Sequence, residues 1–151
     1  MNPHFPEIKK NFGFGCMRFP EYQQDEKHFV DQDKVDEMIL YAYENGVNYF
    51  DTAPYYCNSN SEAALGHAVK NFRDKILIST KCPIDKGMTE KNYREHLERS
   101  LTRLGTDHID FYLMHMMADI KVWERLKSIG IEKWIEDKKK SGAIRQGGFS
   151  Y

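Results

Sequence analysis

Five short apolar runs, separated by segments with helical periodicity, most strongly constrain the fold of this chain. The runs lie at residues 12–17, 47–50, 76–81, 108–115 and 144–150. Strands that alternate with helices through short connections pair in parallel and follow right-handed crossovers. Because the runs are almost continuously apolar, we expect both faces of the sheet to be covered. The pattern therefore predicts an α/β fold with about five parallel strands and alternating helices.

The segments between the runs carry start and stop signals for helices. The first helix is predicted to be capped by Asp33, to run to Asn45 and to stop at Gly46, with one apolar stripe along it. Ser61 is predicted to cap the second helix, and Thr89 the third. Two more helices are expected at residues 120–129 and 131–141. Residues 1–11 and 18–32 are predicted to be irregular or a polar loop.

Two architectures fit this order of elements, an open doubly wound sheet or part of a (β/α)8 barrel. A dinucleotide-binding doubly wound sheet needs a glycine-rich turn that leads from its first strand into a helix. Residues 12–17 (FGFGCM) lack a third glycine, and no helix follows directly. The doubly wound alternative is therefore weakened. A complete barrel needs about 250 residues, so the 151 residues of this chain are predicted to form a single domain with only part of a barrel.

Charge and cysteine content narrow the classes of function. The formal net charge is −1, and basic residues are spread along the chain, so there is no electrostatic case for nucleic acid or a membrane surface. No apolar run approaches the roughly 20 residues of a membrane span. The three cysteines form no CxxC pair, and no apolar signal segment opens the chain. We therefore expect a cytoplasmic location.

Four polar side chains with complementary chemistry follow consecutive strands. Asp51 and Tyr56 come after the second run, Lys81 ends the third, and His115 ends the fourth. Chemistry in parallel α/β folds lies at the carboxyl ends of strands, so these side chains could share one pocket. A lysine ammonium eases proton release from a neighbouring phenol, and an aspartate keeps that lysine charged. A histidine can hydrogen-bond a carbonyl oxygen, so the set suits protonation of an oxyanion as it forms.

Each of these residues also has an ordinary structural explanation when it is taken alone. A lone aspartate often caps a turn, a lone tyrosine often packs in a loop, and lysine or histidine often ends a strand. The functional interpretation depends on all four occurring together. A metal site is not predicted, because the spacing of the cysteines and histidines matches no zinc pattern; the residues considered were Cys16, Cys57, Cys82, His67 and His115. Trp134 is predicted to lie in the core, and the role of Trp123 stays open.

Five segments together resemble the aldo-keto reductase family. They are residues 13–17 (GFGCM), 46–56 (GVNYFDTAPYY), 78–81 (ISTK), 103–115 (RLGTDHIDFYLMH) and 142–150 (GAIRQGGFS). The resemblance runs over nearly the whole chain from about residue 12. It implies a (β/α)8 barrel, an NADP or NAD cofactor with NADPH favoured, and a small-molecule carbonyl substrate.

The resemblance also implies roles for individual residues. Tyr56 would be the general acid and Lys81 its cationic partner, while Asp51 supports Lys81 and His115 orients the substrate. Tyr55 lies beside Tyr56, but the family's spacing from the aspartate selects Tyr56. Contacts with the cofactor are expected from two strand ends, at Gly15, Cys16, Met17 and Ser150.

The resemblance covers only the first five strands of the family's barrel. Most cofactor contacts in the family come from the later strands, so the chain is predicted to be the N-terminal half of a reductase, with its tetrad present. The first and fifth strands would then have open edges, which favour association into a homo-oligomer. Two further alternatives stay open. One is that the isolated half is inactive as a reductase, and the other is that it serves as a non-catalytic interaction or oligomerisation module.

Overall fold

The computed structural model describes residues 5–151 as seven strands and five main helices. The strands are β1 (Phe14–Gly15), β2 (Glu21–Gln24), β3 (Lys27–Val30), β4 (Tyr49–Asp51), β5 (Leu77–Cys82), β6 (Ile109–Met114) and β7 (Ile144–Phe149). The helices are α1 (Gln32–Glu44), α2 (Ser61–Val69), α3 (Glu90–Leu104), α4 (Ile120–Ser128) and α5 (Ile131–Lys140).

A five-stranded parallel sheet in the order β1-β4-β5-β6-β7 forms the centre of the fold. Its strands pair in parallel, with Gly15 opposite Asp51 and Lys81 opposite Leu113. Helices α1, α2, α3 and the α4–α5 pair fill the connections between successive strands. The predicted α/β fold with five parallel strands and alternating helices is therefore confirmed.

The core lies between this sheet and the helices because apolar side chains repeat with the period that each element needs. All six residues of β5 are buried, as expected for a strand covered on both faces. Tyr93, Leu97 and Leu104 of α3 fall on one buried stripe. Trp134 of α5 is 2% exposed, packs on Tyr93 and confirms its predicted place in the core.

The second and third helices approach each other closely at a glycine. A Cβ atom on Gly66 of α2 would lie 2.5 Å from the carbonyl oxygen of Leu104. Two buried polar contacts reinforce the same region, because Glu62 of α2 accepts hydrogen bonds from Thr80 (2.6 Å) and Arg103 (2.6 Å). A buried carboxylate is tolerated when its oxygens are satisfied in this way. The packing fixes α2 against β5, the strand that carries Lys81.

The segment ahead of β1 lies across the amino ends of the strands. Asn48, at the start of β4, accepts a hydrogen bond from the Lys9 backbone and donates one to the carbonyl oxygen of Glu7, both at 2.9 Å. The Phe5 ring meets Phe111 of β6 edge-on, with 5.4 Å between ring centres. Residues 5–11 contain no helix or strand, which agrees with the irregular segment predicted; residues 1–4 lie outside the described part of the chain.

Three local predictions were wrong. Residues 18–32 are not wholly a loop, because β2 and β3 form an antiparallel hairpin there. The N-cap of α1 is Asp31, whose side chain accepts from the Lys34 backbone, and not Asp33. The N-cap of α2 is Asn60. The Ser61 hydroxyl is instead used in a contact with the end of β1, described below.

Across the described residues, each helix is too short or too polar to span a bilayer. Cys16, Cys57 and Cys82 are free thiols. No cluster of three or more potential metal-ligating acids, histidines or cysteines occurs within residues 5–151.

Candidate active site

Lys81 lies at the centre of the candidate site, near the carboxyl end of β5. Lys81 is only 5% exposed. The Lys81 Nζ donates to Asp51 Oδ1 at 2.6 Å and to the carbonyl oxygen of Thr52 at 2.8 Å. A buried ammonium needs such partners, because leaving it unpaired away from water costs several kcal/mol. The strand register brings the partners within reach, since β4 and β5 are direct neighbours.

Tyr56 lies over this ion pair. Its ring centre is 4.9 Å from Lys81 Nζ, within the range of a cation–π contact. The neighbouring Tyr55 is 66% exposed. Of the two tyrosines, Tyr56 is therefore the one whose ring lies against the Lys81 ammonium.

His115 directly follows β6 and completes the predicted set of four. Its backbone N–H donates to the carbonyl oxygen of Cys82, and its Nδ1 lies 2.8 Å from Ser150 Oγ. Partial burial, together with the positive charge of Lys81, lowers the pKa of His115, while Asp51 opposes this shift. This shift favours the neutral ring, which presents one N–H and one lone pair.

Of the four residues predicted to contact a cofactor, two lie at accessible surface. Gly15 faces open space, because a Cβ atom built there would meet nothing within 4 Å, and Met17 is 59% exposed. The Cys16 side chain is fully buried in the core, and burial raises its thiol pKa strongly. Its carbonyl oxygen accepts from Ser61 Oγ at 2.7 Å.

Ser150, the fourth of these residues, joins the end of β7 to the loop after β6. Its hydroxyl contacts His115 Nδ1 and accepts a hydrogen bond from the Met116 backbone at 3.2 Å. The Ser150 carbonyl oxygen accepts from the Met117 backbone. Ser150 is therefore positioned by the same strand ends as His115.

Two features of the site were not found in the sequence. The first is the Cys57 thiol, which is half-buried and contacts the backbone of residues 16–19. The second is a buried pair of hydroxyls, Thr52 and Ser61, 2.8 Å apart. Serine and threonine at these positions give no sequence signal beyond that of a helix start.

Trp123 borders an apolar cavity beyond the ends of β6 and β7. The cavity measures about 400 Å³, and its lining includes Met117, Ile120 and Phe149. Trp123, whose role the sequence left open, thus lies beside an open cavity.

The arrangement as a whole can deliver a proton to a developing oxyanion. A phenol lies against a fixed cation, the cation is held by a carboxylate, and an imidazole whose neutral form is favoured directly follows the neighbouring strand. Such groups stabilise negative charge that forms on a substrate oxygen.

Comparison with known proteins places the chain in a family. The model of the "Aldo/keto reductase family" matches residues 11–151. A curated relative, the NADH-specific methylglyoxal reductase of Escherichia coli (strain K12), is 34% identical over an alignment of 100 residues; the match covers 54% of this chain and 31% of that protein.

Solved structures agree with this match. The holo form of aldo-keto reductase AKR11C1 from Bacillus halodurans has a TM-score of 0.71 and 31% identity, over 91% of this chain and 45% of its own. An aldo/keto reductase from Klebsiella pneumoniae, in complex with NADP and acetate, has a TM-score of 0.69 and 26% identity, over 91% of this chain and 44% of its own. The predicted partial (β/α)8 barrel is thereby confirmed.

The chain spans less than half the length of each of these three proteins. The family match nevertheless covers all five parallel strands and every residue of the candidate site. The chain belongs to the aldo/keto reductase family.

Proposed function

We propose that the site performs NAD(P)H-dependent reduction of an aldehyde or ketone, with Tyr56 as the general acid. The observation that carries this proposal is the Lys81 ammonium, fixed 2.6 Å from Asp51 Oδ1 and 4.9 Å from the centre of the Tyr56 ring. Membership of the aldo/keto reductase family supports the same reaction class. Because the chain spans only part of its relatives, the activity is proposed for the site and not taken from them.

The protein side chains would supply the proton and the orientation. A reduced nicotinamide, when bound, would supply the hydride to the carbonyl carbon. As negative charge grows on the carbonyl oxygen, the Tyr56 hydroxyl gives up its proton to it, and the product is an alcohol. Lys81 stabilises the phenolate that is left, and Asp51 keeps Lys81 charged and in place. His115, held by Ser150, donates a hydrogen bond that orients the carbonyl.

The cofactor is proposed to approach the ends of β1 and β7, at Gly15, Cys16, Met17 and Ser150. Gly15 and Met17 leave accessible surface there. The relatives differ in cofactor, since the E. coli protein is named NADH-specific and the K. pneumoniae structure holds NADP. NADPH remains the favoured cofactor, and both forms belong in the test.

Replacing the phenol tests this function directly. The Tyr56→Phe variant is expected to lower kcat by about 10²- to 10⁴-fold, because it removes the proton donor and leaves the ring in place. Turnover is measured from nicotinamide absorbance with NADPH and with NADH, against a panel of aldehydes and ketones. The matched control is Tyr55→Phe, which removes a hydroxyl from the exposed neighbouring ring and should retain wild-type turnover.

Two outcomes would count against the proposal. Equal turnover by wild type and Tyr56→Phe would remove Tyr56 from its role. No turnover and no saturable NAD(P)H binding by the wild-type chain would instead favour the non-catalytic interaction module.

The expectations about domain organisation, location and partners stay predictions. They are a single domain over residues 1–151, a cytoplasmic location, and the absence of nucleic acid and membrane partners. A homo-oligomer is also proposed, because β1 and β7 each pair with only one other strand among residues 5–151.

A further inference from the structure

The chain reverses direction immediately after Tyr56 through an unusual turn. Cys57, Asn58 and Ser59 all have positive φ angles, of 50°, 53° and 69°. Residues other than glycine seldom adopt this left-handed conformation, because Cβ then approaches the backbone too closely. Three such residues in a row persist only where the surroundings hold them.

The contacts that hold this turn point toward β1. The Cys57 Sγ accepts a hydrogen bond from the Phe19 backbone N–H at 3.4 Å. The thiol in turn lies 3.4 Å from the carbonyl oxygen of Met17 and 3.7 Å from that of Cys16. One small side chain thus contacts three backbone groups of residues 16–19, about 40 positions away in sequence.

A thiol can both donate and accept a hydrogen bond only while it keeps its proton. Desolvation raises the pKa of Cys57, and the Phe19 backbone hydrogen bond opposes this only in part. The protonated thiol therefore donates toward Met17 and accepts from Phe19.

A second contact holds the same segment. Ser61 Oγ donates to the Cys16 carbonyl oxygen at 2.7 Å, and its position is fixed by Thr52 Oγ1 at 2.8 Å. Thr52 also provides the carbonyl oxygen that accepts from Lys81. The residues after β1 are thus tied to the loop after β4, which carries Asp51 and Tyr56.

We propose that Cys57 is a positioning residue of the site, whose thiol holds residues 16–19 in the conformation that receives the nicotinamide cofactor. The inference rests on the proposed function, because it assigns the cofactor to this segment. It is independent of Tyr56 chemistry, since Cys57 acts on backbone groups and not on the reacting carbonyl.

The experiment compares wild type with Cys57→Ala, Cys57→Ser and Ser59→Gly. Cys57→Ala removes both hydrogen-bonding roles, whereas Cys57→Ser keeps a donor and an acceptor on a shorter bond. Ser59→Gly is the matched control, because it relaxes the same left-handed turn. The Ser59 side chain makes no hydrogen bond with the described residues, and it is exposed.

Amide hydrogen exchange of the cofactor-free protein tests the contact itself. In Cys57→Ala, exchange of the Phe19 amide is expected to accelerate by about tenfold, because its acceptor is lost. Cys57→Ser should restore part of the protection, and Ser59→Gly should match wild type. Unchanged Phe19 exchange in Cys57→Ala, in protein that remains folded by circular dichroism, overturns the proposal.

Cofactor titration then tests the purpose of the contact. Dissociation constants for NADPH and NADH are expected to rise about three- to tenfold in Cys57→Ala, the size of effect that one or two hydrogen bonds supply. The KM for the carbonyl substrate should stay near wild type. Faster exchange with an unchanged cofactor dissociation constant contradicts the positioning role.

These measurements separate the two proposals. If the wild-type chain binds no nicotinamide cofactor, the proposed function and the positioning role for that cofactor both fail, even where the exchange data still show the thiol contact. If the wild type binds cofactor and turns over substrate while Cys57→Ala matches it, only the positioning role fails.

Discussion

The Lys81 side chain shows how a single buried charge organises its surroundings. With 6% of its side chain exposed, Lys81 cannot be solvated by bulk water, and it depends on Asp51 and the Thr52 carbonyl oxygen. Asp51 is partly exposed, but removing its carboxylate would leave the buried Lys81 ammonium without its paired charge, which would lower the stability of the fold. The stability of the fold therefore depends on keeping the partners of Lys81 in place.

His115 should make the stability of the protein depend on pH. Its pKa is lowered in the folded chain by burial and by Lys81, so between that value and about 6.5 the unfolded chain binds more protons. The free energy of unfolding then rises with pH across this window. The contribution of His115 to this free energy is lost as the pH falls from about 7.5 to about 5.5. Urea unfolding at the two pH values measures the loss.

Substitution assigns this loss to the residue. His115→Gln should show a smaller drop than wild type between the two pH values, because it has no imidazole to protonate. His96, on α3, has a pKa lowered by burial and by Arg99, so His96→Gln should remove a separate share. A wild-type drop that His115→Gln leaves unchanged contradicts the prediction.

At the scale of elements, the close contact between α2 and α3 requires a glycine at position 66. Replacing an exposed helical glycine by alanine usually stabilises a helix by about 0.5–1 kcal/mol. At Gly66 the new Cβ would lie 2.5 Å from the Leu104 carbonyl oxygen, and backbone cannot move aside cheaply. Gly66→Ala is therefore expected to lower the free energy of unfolding by about 1–3 kcal/mol.

Ala63→Gly provides the opposite change on the exposed face of the same helix. It should lower the free energy of unfolding by only about 0.5–1 kcal/mol, through helix propensity alone. Denaturant melts of the two variants and wild type make the comparison. A Gly66→Ala protein that is more stable than wild type would show that the helices do not meet as closely as described.

The elements that could be predicted from sequence are those with a strong period or a definite stop. The five parallel strands were found because their apolar runs are almost unbroken, and α3 because Thr89 and Gly105 bracket its apolar stripe. The β2–β3 hairpin was missed because nearly all its residues are exposed, so no apolar alternation marks it. Its turn, Asp25–Glu26, has positive φ angles without a glycine to signal them.

The candidate site also contains residues that the sequence could indicate and contacts that it could not. Asp51, Lys81 and His115 were proposed from the sequence because each ends a recognisable strand, and Tyr56 because its spacing from Asp51 resembles that of the aldo/keto reductase family; their catalytic roles stay predictions. The Cys57 contact was not predictable, because it needs three consecutive left-handed residues. Backbone conformations of that kind depend on tertiary contacts and not on local preference.

At the scale of the whole molecule, the two outer strands of the sheet are the places where another chain could pair. β1 and β7 are its edges, and unpaired strand edges favour association. Large apolar side chains are exposed near one edge, including Phe149 at 68% and Ile120 at 66%. The purified chain is therefore expected to form a homo-oligomer at micromolar concentration.

Size-exclusion chromatography with light scattering measures this state. Phe149→Lys places a charge at the end of β7 and should shift the distribution toward monomer. Tyr41→Lys changes an equally exposed side chain on α1 and should leave the distribution as in wild type. A wild-type chain that elutes as a clean monomer contradicts the proposal.

The attachment of the first described residues has a practical consequence for surface immobilisation. Through Asn48 and Phe111, residues 5–9 are held at the amino ends of the strands, whereas Tyr56, Lys81 and His115 lie at the carboxyl ends. A tether placed ahead of Phe5 would therefore present the carboxyl ends of the strands to solution. A sensor chip built in this way would leave the candidate site accessible to cofactor and carbonyl compounds without a long spacer.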